Sequence, residues 1–123
     1  MHSWNWMLAG LIFSLMGCSA PKNALADDAW KPSASLVAAI ESQLSMPSKS
    51  RSKETYVRYF AGIMIEGRWF VVGVFLYDPA NAAVRLVDIS NLPEVHDGGC
   101  DVVNLRYDVE REEVVSIFCN GEA

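Results

Sequence analysis

Charge is missing from the front of this 123-residue chain: no Asp, Glu, Lys or Arg precedes Lys22. Nor does the apolar run there reach the length of a membrane span. Met7 to Met16, "MLAGLIFSLM", would rise about 15 Å as a helix, half the hydrocarbon core of a bilayer. Histidine is scarce, with His2 and His96 alone. There is no CxxC or HxxxH spacing, no glycine-rich loop of the kind that cradles phosphates and no serine-centred elbow, so common metal, nucleotide and hydrolase signatures are lacking. Basic excess is absent as well. Ten Lys and Arg against fifteen Asp and Glu give a formal net charge of −5, which argues against nucleic-acid binding. No internal repeat or long low-complexity tract appears, and the length suits one domain.

What is present begins with the short apolar run, which has the size of a signal-peptide core. Its leader, "MHSWNW", lacks the usual Lys or Arg and offers only His2 and the amino terminus as positive charge. The run ends in Leu15-Met16-Gly17-Cys18, which resembles the lipobox of bacterial lipoproteins. Leu15 stands three residues before the cysteine and Gly17 immediately before it, while Met16 occupies a place where the family carries a smaller residue. The resemblance covers the signal region only. It implies removal of residues 1–17 and lipidation of Cys18 as the new amino terminus. Ser19 after it implies retention in the outer membrane, facing the periplasm of the cell envelope. A competing exit is "ALAD", where Ala24 and Ala26 form the small-x-small pattern of ordinary cleavage and would leave a soluble periplasmic protein.

Residues 18–33, small, polar and proline-containing, read as a flexible tether, with Trp30 the one residue suited to docking back on the domain. Residues 34–123 read as a single domain. Within it, Leu36, Ile40 and Leu44 recur at spacing four, with Val37 alongside, and predict a helix from Ser35 to Met46. Ser33 or Ser35 would cap its start and Pro47 would end it. The basic loop "PSKSRSK" (Lys49, Arg51, Lys53) reads as a solvated loop, with anionic headgroup contact as the functional alternative.

From Tyr56 onward the texture is β. "TYVRYFAGIMI" and "RWFVVGVFLYD" meet at Glu66-Gly67, which suits a tight primed turn and pairs Ile65 with Arg68, Ile63 with Phe70, Ala61 with Val72 and Phe60 with Gly73. There the Phe60 ring could cover the bare glycine backbone. "AVRLVDI" (83–89) is a third strand. "SNLPEVHDGG" is a loop leading to "CDVVNLRYD", and "EEVVSIFCN" is the last strand. The predicted class is α+β, one N-terminal helix packed on a curved antiparallel sheet of about five strands. In architecture this resembles the cystatin-like and NTF2-like shapes, a likeness that does not fix function.

Three cysteines are an odd number, but a lipidated or removed Cys18 leaves Cys100 and Cys119, which would pair in an oxidising envelope. If the last two strands form a hairpin around Asp108 to Arg111, paired positions sum to 219 and Cys100 falls opposite Cys119. His96, Asp97 and Asp101 form a candidate binding loop. A thiol mechanism with His96 as base for Cys100 conflicts with the bridge, and one histidine with scattered carboxylates makes a weak metal set. The aromatics Trp30, Tyr56, Tyr59, Trp69, Phe75 and Tyr77 suit a core more than a cleft.

The expected function is a small, membrane-anchored, non-enzymatic module that binds an envelope protein or small ligand, without cofactor or metal. The alternatives are a periplasmic enzyme using the His96 loop, or an inhibitor or immunity-type protein.

Overall fold

A computed structural model describes residues 29–121, so Cys18 and the leader lie outside the described residues. The chain forms β1 (Ala29–Trp30), α1 (Ala34–Gln43), β2 (Tyr56–Ile65), β3 (Arg68–Tyr77), β4 (Ala83–Leu86), β5 (Val102–Asp108) and β6 (Glu113–Cys119). Among the described residues the class is α+β, one helix on one open sheet, with the path β1-β2-β3-β5-β6 and β4 also joined to β2.

Helix α1 starts where its capping residue dictates. The Ser33 hydroxyl accepts the Leu36 N–H at 3.1 Å, satisfying one of the donors that a helix start leaves unpaired. Its far end comes earlier than the apolar spacing predicts. Leu44 is already extended, at φ −75° and ψ 134°. The reason lies downstream, because Pro47 disfavours helical backbone at Met46 and its ring would clash with the Gln43 carbonyl four residues back if the helix ran on. The extended alternation still packs Leu44 and Met46 on the core, so the hydrophobic stripe survives the change of backbone.

The β2–β3 hairpin has the predicted register throughout, including Phe60 opposite Gly73. Its two-residue turn places Glu66 at φ 51° and Gly67 at φ 77°, the pair of positive values that a primed turn requires. Leu105 and Phe75, each 3.3 Å from where a Cβ would stand, line the Gly73 position.

The sheet is mixed, where only antiparallel pairing was expected. Strand β4 runs parallel to β2, with Val57 opposite Ala83 and Phe60 opposite Leu86. After β3 the Asp78 N–H donates to the Thr55 carbonyl at 3.0 Å, carrying the chain across the end of β2 instead of back along β3. It then leaves along the other edge of β2, in the direction of β2 itself. The upper part of that same edge is taken by β1, with Ala29 opposite Ile63 and Trp30 opposite Gly62. The folded unit therefore takes in residues 29–33, which the composition assigns to the tether. Trp30 meets Trp69 edge to face, with ring centroids 5.4 Å apart.

One face of the sheet carries the core. Tyr56, Phe60, Val71, Phe75, Val103, Leu105 and Tyr107 lie buried under Val37 and Ile40 of α1. Four polar side chains at the margin of this layer, Glu41, Gln43, Arg58 and Tyr107, are matched. Arg58 is ion-paired to Glu41 at 2.6 Å and also donates to the Lys53 carbonyl at 2.6 Å. Gln43 donates to the Tyr107 hydroxyl at 3.1 Å.

The last hairpin departs from the expected register. Asp108 faces Glu113, and after a bulge between Arg106 and Tyr107 the pairs become Arg106 with Ser116, Leu105 with Ile117 and Val103 with Cys119. Positions therefore sum to 221 and then 222, not 219. Two causes combine: the turn spans Val109 to Glu112, with Glu112 at φ 56°, and a bulge adds one residue to β6. Cys100 nonetheless reaches Cys119. Gly98 (φ 106°) and Gly99 (φ 58°) fold the chain into a short 3-10 turn over 99–101, and the bridged Cα atoms lie 4.6 Å apart.

Candidate functional site

The second face of the sheet, opposite α1, is where the candidate loop runs. Leaving β4, the chain crosses this face before entering β5. Leu92 on the way shares an open groove of about 240 Å³ with Val72, Val74, Asn104, Arg106, Ser116 and Phe118. These strand residues share a face because alternate side chains on a strand point the same way. Phe118 is 54% exposed, and Val115, at the bulge three residues earlier, 52%. Large apolar side chains left half in water on one strand are the informative kind of exposure.

Asn120 fixes the far end of the loop. Its side-chain amide donates to the carbonyls of Val95 (2.8 Å) and Asp97 (2.9 Å), and its Oδ1 accepts from Asn104 at 2.6 Å. One side chain thus ties the loop backbone to β5 and to the end of β6. The Cys100–Cys119 bridge closes the same corner from the other side. With Cys100 Sγ bonded, no thiolate is present for His96 to activate.

The candidate residues separate into two places. His96 and Asp97 lie exposed on the loop, whereas Asp101 belongs to a cluster below the sheet. There Asp101 pairs with Arg51, whose guanidinium carbon lies 3.9 Å from the centroid of the Tyr77 ring. The Asp101 hydrogen bond raises the Arg51 pKa above its ordinary value, against a smaller opposing effect of desolvation. Tyr56 completes the cluster: its hydroxyl accepts from the Arg51 N–H (3.1 Å) and donates to the Cys100 carbonyl (2.6 Å). Among the described residues no three His, Cys, Asp or Glu side chains gather as a metal set.

Two of the three cations in "PSKSRSK" have partners, since Lys53 stands 3.7 Å from Glu54 and Arg51 is held by Asp101. The basic loop therefore offers less free charge than its composition suggests. The aromatics divide similarly: Tyr56, Phe75 and Trp69 are buried, and Tyr77 lies under Arg51. The groove lies on the face of the sheet opposite α1.

Sequence reasoning identifies the loop but misses the groove. Its strand residues are visible as the alternate positions Asn104, Arg106, Ser116 and Phe118, yet the 219 register places Arg106 opposite Glu113. The true pairing sets it against Ser116. The chain matches no protein-family model, no curated protein and no solved structure. Among the described residues no helix is long and apolar enough to cross a membrane.

Proposed function

We propose that the chain is a small lipoprotein of the bacterial envelope, anchored through Cys18, whose folded domain binds a partner protein or ligand without catalysing a reaction. The observation that carries this reading is the pairing of Cys100 with Cys119. It uses two of the three cysteines, so the lipid anchor at Cys18, in "LMGC", needs no thiol from the domain, and it fits an oxidising compartment. Acyl chains on one residue supply stable attachment when two or more are present. The groove and its exposed apolar rim support binding over catalysis, because the polar side chains around them include no nucleophile paired with a base.

Processing is tested by metabolic labelling with a fatty acid and by fractionation. The parent protein is expected to carry label and to sediment with outer membranes, and Cys18→Ser to lose both. A Cys18→Ser protein that stays with membranes would sink the anchor. Binding is tested separately, by cross-linking in cells and isolation of the adduct. His96→Ala with full folding and a lost enzymatic phenotype would return the enzyme reading.

A further inference from the structure

Strand β6 ends the sheet path, and among the described residues no strand pairs with its outer side. The Asn120 N–H donates to the Val102 carbonyl at 2.9 Å, which fixes the hydrogen-bond phase of the hairpin. In an antiparallel ladder bonded and non-bonded pairs alternate. Phe118 and Ser116, paired with Asn104 and Arg106, therefore turn their backbone groups inward to β5. Ile117 between them turns its N–H and C=O to the free side. The phase is supported at the other side of β5, where the Val109 N–H donates to the Trp69 carbonyl. Exposed edges are ordinarily protected by charged side chains, proline, bulges or cover. Strand β6 has Glu113 and its bulge at the start, but from Ser116 to Cys119, past the bulge, it carries no charge and no proline.

Beside this edge lies the groove, with Ser116 and Phe118 as its rim. Arg106, directly opposite Ser116, is exposed, and among the described residues no carboxylate lies within ion-pair distance of it. Its guanidinium carbon lies 5.7 Å from the centroid of the Phe70 ring, on the β3 side of β5. Strands stand about 4.8 Å apart, so a residue placed opposite Ser116 on a new strand would sit about 10 Å from the Arg106 backbone. By turning from Phe70 toward β6 the arginine can meet a glutamate over that gap, because serine is too short to fill it.

We infer that the outer edge of β6 is a docking edge for an extended segment of a partner protein, with an acidic side chain opposite Ser116 to pair with Arg106. Main-chain bonds to Ile117 supply the attachment, as in strand addition generally, and the groove takes a neighbouring apolar side chain over Phe118. A second copy of this chain fits less well. Antiparallel self-pairing centred on Ile117 sets Ser116 opposite Phe118 and brings no carboxylate to Arg106. The inference rests on the reading of the domain as a binding module and not on its lipid anchor.

The test uses the full chain in zwitterionic micelles and two labelled heptapeptides, each with isoleucine at positions 2 and 6 and threonine at positions 1, 3, 5 and 7, one carrying glutamate and the other lysine at position 4, so that the charged and apolar side chains share a face. Fluorescence anisotropy reports binding. Since the chain carries a net charge of −5, general electrostatics favours the lysine peptide. The expected result is the reverse, at least tenfold tighter binding of the glutamate peptide. Arg106→Glu should invert the preference, and Ile117→Pro should abolish binding of both peptides. Proline is tolerated on an edge where its missing N–H faces solvent; circular dichroism checks that this variant stays folded. Arg106→Glu, a surface change, gives the answer even if Ile117→Pro unfolds. Equal affinity for both peptides, or a preference unmoved by Arg106→Glu, overturns the inference, as does a dimer in light scattering that Ile117→Pro dissolves. Cross-linking in cells separates the two levels. An adduct formed equally by parent and Arg106→Glu refutes the β6 edge and leaves the binding module standing; no adduct with either removes the module itself.

Discussion

Trp30 lies so close over Gly62 that a methyl group at residue 62 would overlap the indole ring, at atoms Cδ2, Cε2 and Nε1. Among the described residues the buried indole nitrogen has no hydrogen-bond partner. The contact is held by packing alone, so Gly62→Ala should eject the ring. Overpacking of this kind costs about 1–3 kcal/mol. The expected readouts are a lower urea midpoint and a weaker near-ultraviolet circular dichroism signal from the Trp30–Trp69 pair; an unchanged spectrum would show that the ring does not depend on the glycine. At the β2–β3 turn the opposite change is favourable. Glu66 holds φ 51°, a left-handed value that costs a residue with a Cβ roughly 1 kcal/mol, and asparagine tolerates it better. Glu66→Asn should therefore raise stability by about 0.5 kcal/mol in the same titration. Of these two positions the turn was legible in the sequence, because Gly67 declares it. Gly62 was not: its role depends on a tryptophan 32 positions away, brought there by a two-residue strand too short to have a pattern.

Between elements, the two hairpins differ in how much a sequence can reveal. The first closes in two residues, so the turn sets every pair from Tyr56–Tyr77 to Ile65–Arg68. The second closes in four and carries a bulge, and neither changes the apolar alternation enough to be seen beforehand. The resulting shift hid the groove, because only the true register leaves Arg106 opposite a serine. Strand β4 was visible as a β-rich run, but its parallel placement rests on one crossing, at Asp78 and Thr55, that composition does not encode. The joint between α1 and the sheet was hidden for another reason. Glu41 and Arg58 lie in different elements, and both are largely buried, at 16% and 11% side-chain exposure. Removing one member of such a pair leaves a charge in low dielectric, a loss of about 3 kcal/mol. Glu41→Ala should show that loss in thermal unfolding, whereas Glu41→Ala combined with Arg58→Met should recover part of it. A double variant no more stable than Glu41→Ala would mean that the stranded guanidinium is already satisfied by the Lys53 and Tyr56 carbonyls, to which Arg58 also donates.

At the scale of the molecule, the corner where β6 ends is built from groups distant in sequence. The Cys100–Cys119 bridge, the Asn120 amide and the Tyr56 hydroxyl all converge on the turn between the loop and β5. The bridge spans 19 positions, and closing a loop of that size removes unfolded-state entropy worth about 3 kcal/mol. For a domain near 100 residues, each 1 kcal/mol shifts the melting temperature by roughly 4–8 °C. Cys100→Ser with Cys119→Ser should accordingly lower it by about 12–24 °C, and reduction of the parent protein should do the same. Loss of the bridge acts at two levels that hydrogen exchange can separate. Amides of β2 and β3, in the middle of the sheet, should lose protection only as far as global stability falls. Amides of the 92–101 segment should lose more, because the bridge and Asn120 are what hold that segment against β5 and β6. Uniform loss across the chain would mean that the corner and the sheet open as one unit, and that the loop over the groove has no independent motion.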